Sequence, residues 1–158
     1  MRIGVIADTH GHLAAGALEA LTGVELILHA GDIGKEAVLD ALARVAPVLA
    51  VRGNTDAGTA LGRAHPATRW LEREGARIFM THIGGRPAEL AAALPDDPAA
   101  RPDVYIFGHT HVALLEREGG VLFLNPGAAG YPRFGGGLSV AVLEVEGGAA
   151  RATIVPLA

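Results

Sequence analysis

The 158-residue chain has no cysteine, which removes disulfides, thiolate metal sites and cysteine nucleophiles together. Charge is sparse: 19% of residues are Asp, Glu, Lys or Arg, and the formal net charge is −4. That balance offers no general attraction to nucleic acid or an anionic membrane, so stable duplex binding is not expected. No apolar run approaches the roughly 18 residues that a membrane span requires. The opening Met1-Arg2-Ile3-Gly4-Val5-Ile6 resembles a first strand and lacks the long apolar stretch of a signal peptide, so a cytoplasmic protein is expected. Neither G-x-G-x-x-G nor a P-loop lysine motif occurs, which sets aside a nucleotide-binding Rossmann domain. Lysine is nearly missing as well: Lys35 is the only one.

What is present is a hydrophobic chain, 50% apolar, long enough to close one core, and a single domain over residues 1–158 is expected. Its first third alternates. Ile3–Ala7, Glu25–His29 and Pro47–Val51 read as buried strands. Leu13–Leu21 and Lys35–Val45 carry helical spacing between them. This βαβαβ order implies parallel strands with right-handed crossovers and puts the loops after the strands at one sheet edge, where ligands usually bind. Thr68–Glu72 and Ala76–Thr81 suggest an antiparallel hairpin around Arg73-Glu74-Gly75. Arg86–Leu94 reads as a short helix, Pro95–Pro102 as a loop and Asp103–Phe107 as another buried strand. Ala113–Glu116, Val121–Leu124, Leu138–Val145 and Ala152–Val155 complete the β content. An α/β sandwich with a pair of mixed sheets follows.

Four short clusters stand where strands hand over to loops: Asp8-Thr9-His10, Gly31-Asp32, Gly53-Asn54-Thr55-Asp56 and Gly108-His109-Thr110-His111, with a lone His82 before the last. Asp8 and Asp32 are costly to bury unless something positive sits between them. Asp8 and His10, alternate residues at a strand end, are expected to project the same way and share a cation. Taken singly, Asp8 reads equally well as a helix cap, and Gly31-Asp32 and Asn54 as turn chemistry. Together, two carboxylates, one amide and four imidazoles form a metal-ligand set. Seven donors exceed the four of one zinc site, whereas two cations sharing Asp32 use them all.

In this order the clusters resemble the calcineurin-like metallophosphoesterases, specifically their small single-domain bacterial and archaeal phosphodiesterase branch. The likeness continues through Asn125-Pro126-Gly127 and Pro132-Arg133, so it covers nearly the whole chain. It implies a four-layer αββα sandwich with the metals at the rim between two mixed β-sheets. It also implies a first metal on Asp8, His10, Asp32 and His111, and a second on Asp32, Asn54, His82 and His109. A metal-bridging hydroxide would be the nucleophile, with Asp32, Asn54 and His109 closest to the chemistry. Two divalent ions are expected, with manganese suiting the mixed N/O set best among manganese, iron, zinc and nickel.

Two positions depart from the family pattern. Thr55 stands where strong monoesterases carry a leaving-group histidine, and Ile83 follows His82 where Gly-His is common. The expected substrate is therefore a small phosphodiester, nucleotide-derived compounds included, with a good leaving group. A phosphomonoesterase or nucleotidase, and a catalytically idle scaffold of the retromer-subunit type, are the alternatives. His12 and Arg133 are the substrate-side candidates, and Arg86 is read as a surface arginine. His29 reads as a hydrogen-bonded packing residue, His65 as a loop residue, Asp56 as support for a ligand and Trp70 as core or interface. Small relatives often form dimers or larger assemblies, so the resemblance leaves a homodimer or tetramer open beside a monomer.

Overall fold

Among the described residues, ten strands and four short helices form, and the strands follow the order the hydrophobic pattern suggests. The structure is a computed structural model and describes residues 1–133 and 135–157. Strands β1 (Arg2–Ile6), β2 (Leu26–His29) and β3 (Val48–Ala50) run parallel, with α1 (Ala17–Ala20) and α2 (Glu36–Ala43) in the crossovers. After α3 (Ala60–Ala64) come β4 (Thr68–Arg73), β5 (Ala76–Thr81), α4 (Pro87–Ala93), a 3-10 turn (Pro98–Ala100) and β6 (Val104–Ile106). Strands β7 (Leu114–Glu118), β8 (Val121–Asn125), β9 (Ser139–Glu146) and β10 (Ala149–Pro156) follow. They form two five-stranded sheets, β10-β9-β1-β2-β3 and β4-β5-β6-β8-β7, each mixing parallel and antiparallel pairs.

Three apolar clusters define four layers. Ile3, Val5, Leu26 and Leu28 of one sheet pack against Ile78, Met80, Val104, Ile106, Leu122 and Leu124 of the other. The outer face of the first sheet is covered by Leu21, Val38, Leu39 and Leu42 against Ile6 and Ile27. On the far side Leu90 and Ala91 of α4 lie over Tyr105, Phe107 and Phe123. An αββα sandwich results, as the family likeness implied. β1, β2 and β6 are nearly continuous apolar runs because both their faces are covered.

Helices depart most from the sequence reading. Only Ala17–Ala20 of the expected Leu13–Leu21 helix forms. Gly16 sits in the left-handed region (φ 85) at its start, and Ala14 N–H is drawn off to Ala129 O at 2.8 Å. Helix α3 was not anticipated; Thr59 caps it, its Oγ1 accepting from Gly62 N–H at 3.1 Å. A 3-10 turn occupies part of the expected Pro95–Pro102 loop, with Asp97 Oδ1 accepting from Ala99 N–H. Trp70 is not core: it is 56% exposed on β4, its ring centroid 5.1 Å from that of Phe79. No helix among the described residues is long and apolar enough to cross a membrane.

Candidate metal centre

All seven candidate donors lie just past the carboxyl ends of parallel strands. Asp8 and His10 follow β1, Asp32 follows β2, Asn54 follows β3, His82 follows β5, and His109 and His111 follow β6. Strand direction thus brings residues a hundred positions apart to one rim between the sheets.

The loops that present them are strained in a consistent way. Among the described residues, six non-glycine residues have φ between 46 and 73, and five of these are Asp8, His10, Asp32, His109 and His111. Such backbone costs on the order of 1–3 kcal/mol per residue and persists only where its surroundings over-determine it. It also corrects the expected route to one part of the site. Asp8 and His10 do converge, but through two left-handed residues beyond the end of β1, not by alternation along a strand.

Neighbouring groups hold these loops. Asp8 N–H donates to Gly31 O, and His10 N–H to Asp32 O, tying the first two clusters together. Asp8 Oδ2 accepts from His109 N–H at 3.0 Å, and Asp32 Oδ1 from Thr55 N–H at 3.0 Å. The buried Asp56 accepts three backbone N–H groups: Ile33 at 3.1 Å, Gly34 at 3.1 Å and Gly53 at 2.9 Å. It clamps the Asp32 loop to the Asn54 loop rather than touching a ligand side chain. Asp56→Ala would leave three donors without an acceptor, each worth about 1–3 kcal/mol, so unfolding stability should drop by about 3 kcal/mol or more. Chemical denaturation checks this; a loss under about 1 kcal/mol would contradict the clamp.

Two further residues belong to this scaffold. His29 is wholly buried, its Nδ1 accepting from Gly31 N–H at 3.1 Å and its Nε2 3.0 Å from Thr9 Oγ1, which donates to Ile33 O. Burial pushes its pKa down to about 3, so it stays neutral in this packing role. In the sequence Asn125 stands out only through the Asn125-Pro126-Gly127 motif. Its amide donates to Gly108 O at 3.0 Å and Thr110 Oγ1 at 3.1 Å, pinning the loop of His109 and His111. Its place at the end of a buried strand was the available signal. Gly53 is required for proximity, since a Cβ there would overlap the Asp32 carboxylate.

At the centre, acceptor atoms face one another. His82 Nδ1 lies 2.7 Å from Ala30 O and so carries the proton, leaving the Nε2 lone pair directed inward. That Nε2 is 3.3 Å from Asp32 Oδ2 and 3.8 Å from Asp8 Oδ1. Asp8 Oδ1 is also 3.5 Å from His111 Nε2 and 3.9 Å from His10 Nε2, while Asp32 Oδ2 is 3.7 Å from His10 Nε2. His10 and His111 meet Nε2 to Nε2 at 3.3 Å, and Asn54 Oδ1 is 3.1 Å from His109 Nδ1. Among the described residues, Asp8 Oδ1 and His82 Nε2 are buried with no hydrogen-bond partner.

The charges respond to this crowding. Burial pushes the Asp8 carboxyl up to about 7. Burial opposes ionisation of Asp32 too, but the adjacent His82 imidazole and the hydrogen bond from Thr55 N–H outweigh it and hold that carboxyl below the usual range. His82 is desolvated as well, yet its partner Asp32 shifts it upward. Burial lowers His10, and lowers His111 to about 4 with help from the Arg133 guanidinium.

Lone pairs and carboxylates converge in two groups of potential metal ligands, Asp8–His10–His111 and Asp32–His82–His109, with the atoms of each group within 4.8 Å of one another. The chain matches the calcineurin-like phosphoesterase superfamily domain over residues 1–148. It belongs to that family. A probable metallophosphoesterase of Methanothermobacter thermautotrophicus is 36% identical over 155 residues, spanning 93% of this chain and 87% of that protein. An archaeal phosphodiesterase of known structure shares the fold at a TM-score of 0.76 and 27% identity, covering 98% of this chain and 100% of that one. Vps29 of Entamoeba histolytica, solved in complex with zinc, is similar at a TM-score of 0.70 and 21% identity over 99% of both chains, a likeness of fold alone.

The remaining candidates fall outside this cluster. His12 is exposed and stacks on Tyr131; Arg133 is exposed, its charge acting on Asp8, His10 and His111. Arg86 precedes α4 and lies 3.7 Å from Glu89 at high exposure, as expected of a surface arginine. His65 follows α3 in a loop. Ile83 is 56% exposed and lines an open cleft with Asn54, Ala57 and Ala67.

Proposed function

We propose that this phosphoesterase is a dinuclear metal-dependent phosphodiesterase. Asp8, His10, Asp32 and His111 would hold one divalent cation, and Asp32, Asn54, His82 and His109 a second. The observation that carries the reading is the buried knot of acceptors: Asp8 Oδ1 and His82 Nε2 have no donor, and Asp32 Oδ2 lies between two imidazole nitrogens. Unpaired buried acceptors are strongly unfavourable unless a cation lies among them. Held by these residues, two cations would supply Lewis-acid charge and water activated at neutral pH, which is the chemistry of phosphoester hydrolysis. A set of imidazole, amide and carboxylate donors without thiolate suits manganese, with iron, zinc and nickel as alternatives.

The chain's own residues supply the rest. His82 Nδ1–H on Ala30 O fixes the tautomer that presents Nε2. Thr55 N–H orients Asp32 so that Oδ2 points into the cluster. Arg133 places positive charge on the side of Asp8, His10 and His111, where a phosphoryl oxygen would be attracted. Neither Asn54 nor Thr55 has a titrating proton near neutral pH, so this edge offers a departing alkoxide no general acid. Diesters with good leaving groups are therefore the expected substrates, consistent with the similarity to a phosphodiesterase. Thr55→His should raise kcat on poor-leaving-group esters by about tenfold or more, and an unchanged rate would argue against the missing-acid account.

The decisive experiment loads purified protein with manganese, zinc or nickel, counts bound metal, and assays bis-aryl diester and aryl monoester hydrolysis in parallel. Diester turnover with about two metals per chain is expected. Bound metal without turnover would favour an idle scaffold, and faster monoester turnover a phosphomonoesterase.

A further inference from the structure

One segment beside the site is not used by the metal ligands. Residues 128–131 dock on the loop that carries Asp8 and His10. Ala129 N–H donates to Ala7 O at 3.1 Å and Ala129 O accepts from Ala14 N–H at 2.8 Å. Gly130 packs so tightly that a Cβ would overlap the Thr9 carbonyl and lie 3.0 Å from Asp8 O. Tyr131 therefore emerges directly above the ligand loop. His12 closes that loop, its N–H donating to Thr9 O at 3.0 Å. The two rings stack with centroids 4.9 Å apart and planes 22° apart.

This pair buries little. Tyr131 is 52% exposed and His12 is exposed, so the stack does not serve a core. Two residues further on, Arg133 places its charge on Asp8, His10 and His111. A planar, solvent-facing platform and a cation thus flank the same half of the metal cluster. Among the described residues, the open cleft lined by Asn54, Ala57, Ala67 and Ile83 has no Phe, Tyr or Trp ring. A phosphate ester held at the cluster and carrying an aromatic ring finds a stacking partner, among the described residues, in the His12–Tyr131 pair.

We propose that His12 and Tyr131 form a stacking platform for the planar ring of an ester substituent, so that Tyr131 is a specificity-determining residue for ring-bearing phosphoesters. The inference rests on the phosphoesterase reading above. Stacking of a ring on aromatic side chains contributes about 1–3 kcal/mol, or roughly 5- to 150-fold in affinity.

Titration calorimetry with methyl phosphate, phenyl phosphate and adenosine 5′-monophosphate on the manganese-loaded protein reads the platform as a binding ratio. The ring-bearing esters should bind about 5-fold or more tightly than methyl phosphate. Tyr131→Ala should collapse that ratio toward one, and Tyr131→Phe should keep it. The phenyl and adenosine arms tell a simple aryl preference from a nucleobase preference. In parallel, the kcat/KM ratio of thymidine 5′-p-nitrophenyl phosphate to methyl p-nitrophenyl phosphate should fall in Tyr131→Ala. Equal affinities for methyl and ring-bearing esters, or a ratio indifferent to Tyr131→Ala, would overturn the platform while leaving the phosphoesterase reading intact. Ring-dependent binding without hydrolysis would overturn the turnover reading and keep the platform. Binding of none of the three esters and hydrolysis of neither diester would overturn both.

Discussion

Asp32→Ala is expected to remove metal-supported diester hydrolysis by about 10³-fold or more and to lower bound metal from about two per chain to one or fewer. Asp8 Oδ1 also reaches across the cluster, 3.8 Å from His82 Nε2, but Asp32 is the residue assigned to both proposed cations. Its Oδ2 lies 3.7 Å from His10 Nε2 and 3.3 Å from His82 Nε2, one from each candidate ligand group. Its Oδ1 is held by Thr55 N–H, so the carboxylate has one orientation, and its lowered pKa keeps it ionised. Removing it takes a ligand from both proposed cations at once, which no other single ligand substitution does. A loss of about 4 kcal/mol of transition-state stabilisation corresponds to the 10³-fold figure. Asp32→Asn separates charge from shape: its amide oxygen can still accept from Thr55 N–H, so the fold should persist while activity falls. Activity within tenfold of the parent in both variants, with two metals still bound, would sink the shared-ligand assignment.

The candidate site was legible because each donor cluster is local in sequence and sits at a strand end, where side-chain type alone suggests the chemistry. The two-sheet architecture was legible for a related reason, since buried parallel strands such as Val104–Ile106 are unbroken apolar runs. What was not legible depends on contacts across the fold. Leu13–Leu21 has helical spacing, but Ala14 bonds to Ala129 and Gly16 turns left-handed, so only four residues coil. Trp70 reads as core or interface, yet β4 is an edge strand and exposes it, which excludes the core reading. Asp56 was readable as support, but three backbone donors from two separate loops converge on it only after folding. The His12–Tyr131 stack joins residues more than a hundred positions apart and has no sequence signature.

The same buried acceptors that fit a cation should weaken the metal-free protein, and Asp8→Asn exposes that cost. Asp8 is fully buried, its Oδ1 lacks a donor, and burial raises its carboxyl from 3.8 to about 7. The folded state therefore keeps the proton up to about pH 7, whereas the unfolded chain releases it near 3.8. Between those values the folded state binds more protons, so stability falls as pH rises. The penalty is absent below pH 3.8 and complete above about 7, where the difference amounts to roughly 4 kcal/mol. Asparagine carries no charge. Its carbonyl can still accept from His109 N–H, and its amide would face the Nε2 lone pairs of His82, His10 and His111, at 3.5–3.9 Å from the present Oδ1. In chelator at pH 8, Asp8→Asn should melt about 10 °C above the parent, and the gap should close toward pH 4. With excess divalent metal the order should reverse, because cations stabilise by mass action only the chain that retains the ligand. A variant less stable than the parent in chelator at pH 8 would show that the Asp8 charge is compensated within the protein itself, and the argument for a cation at that carboxylate would lose its physical basis.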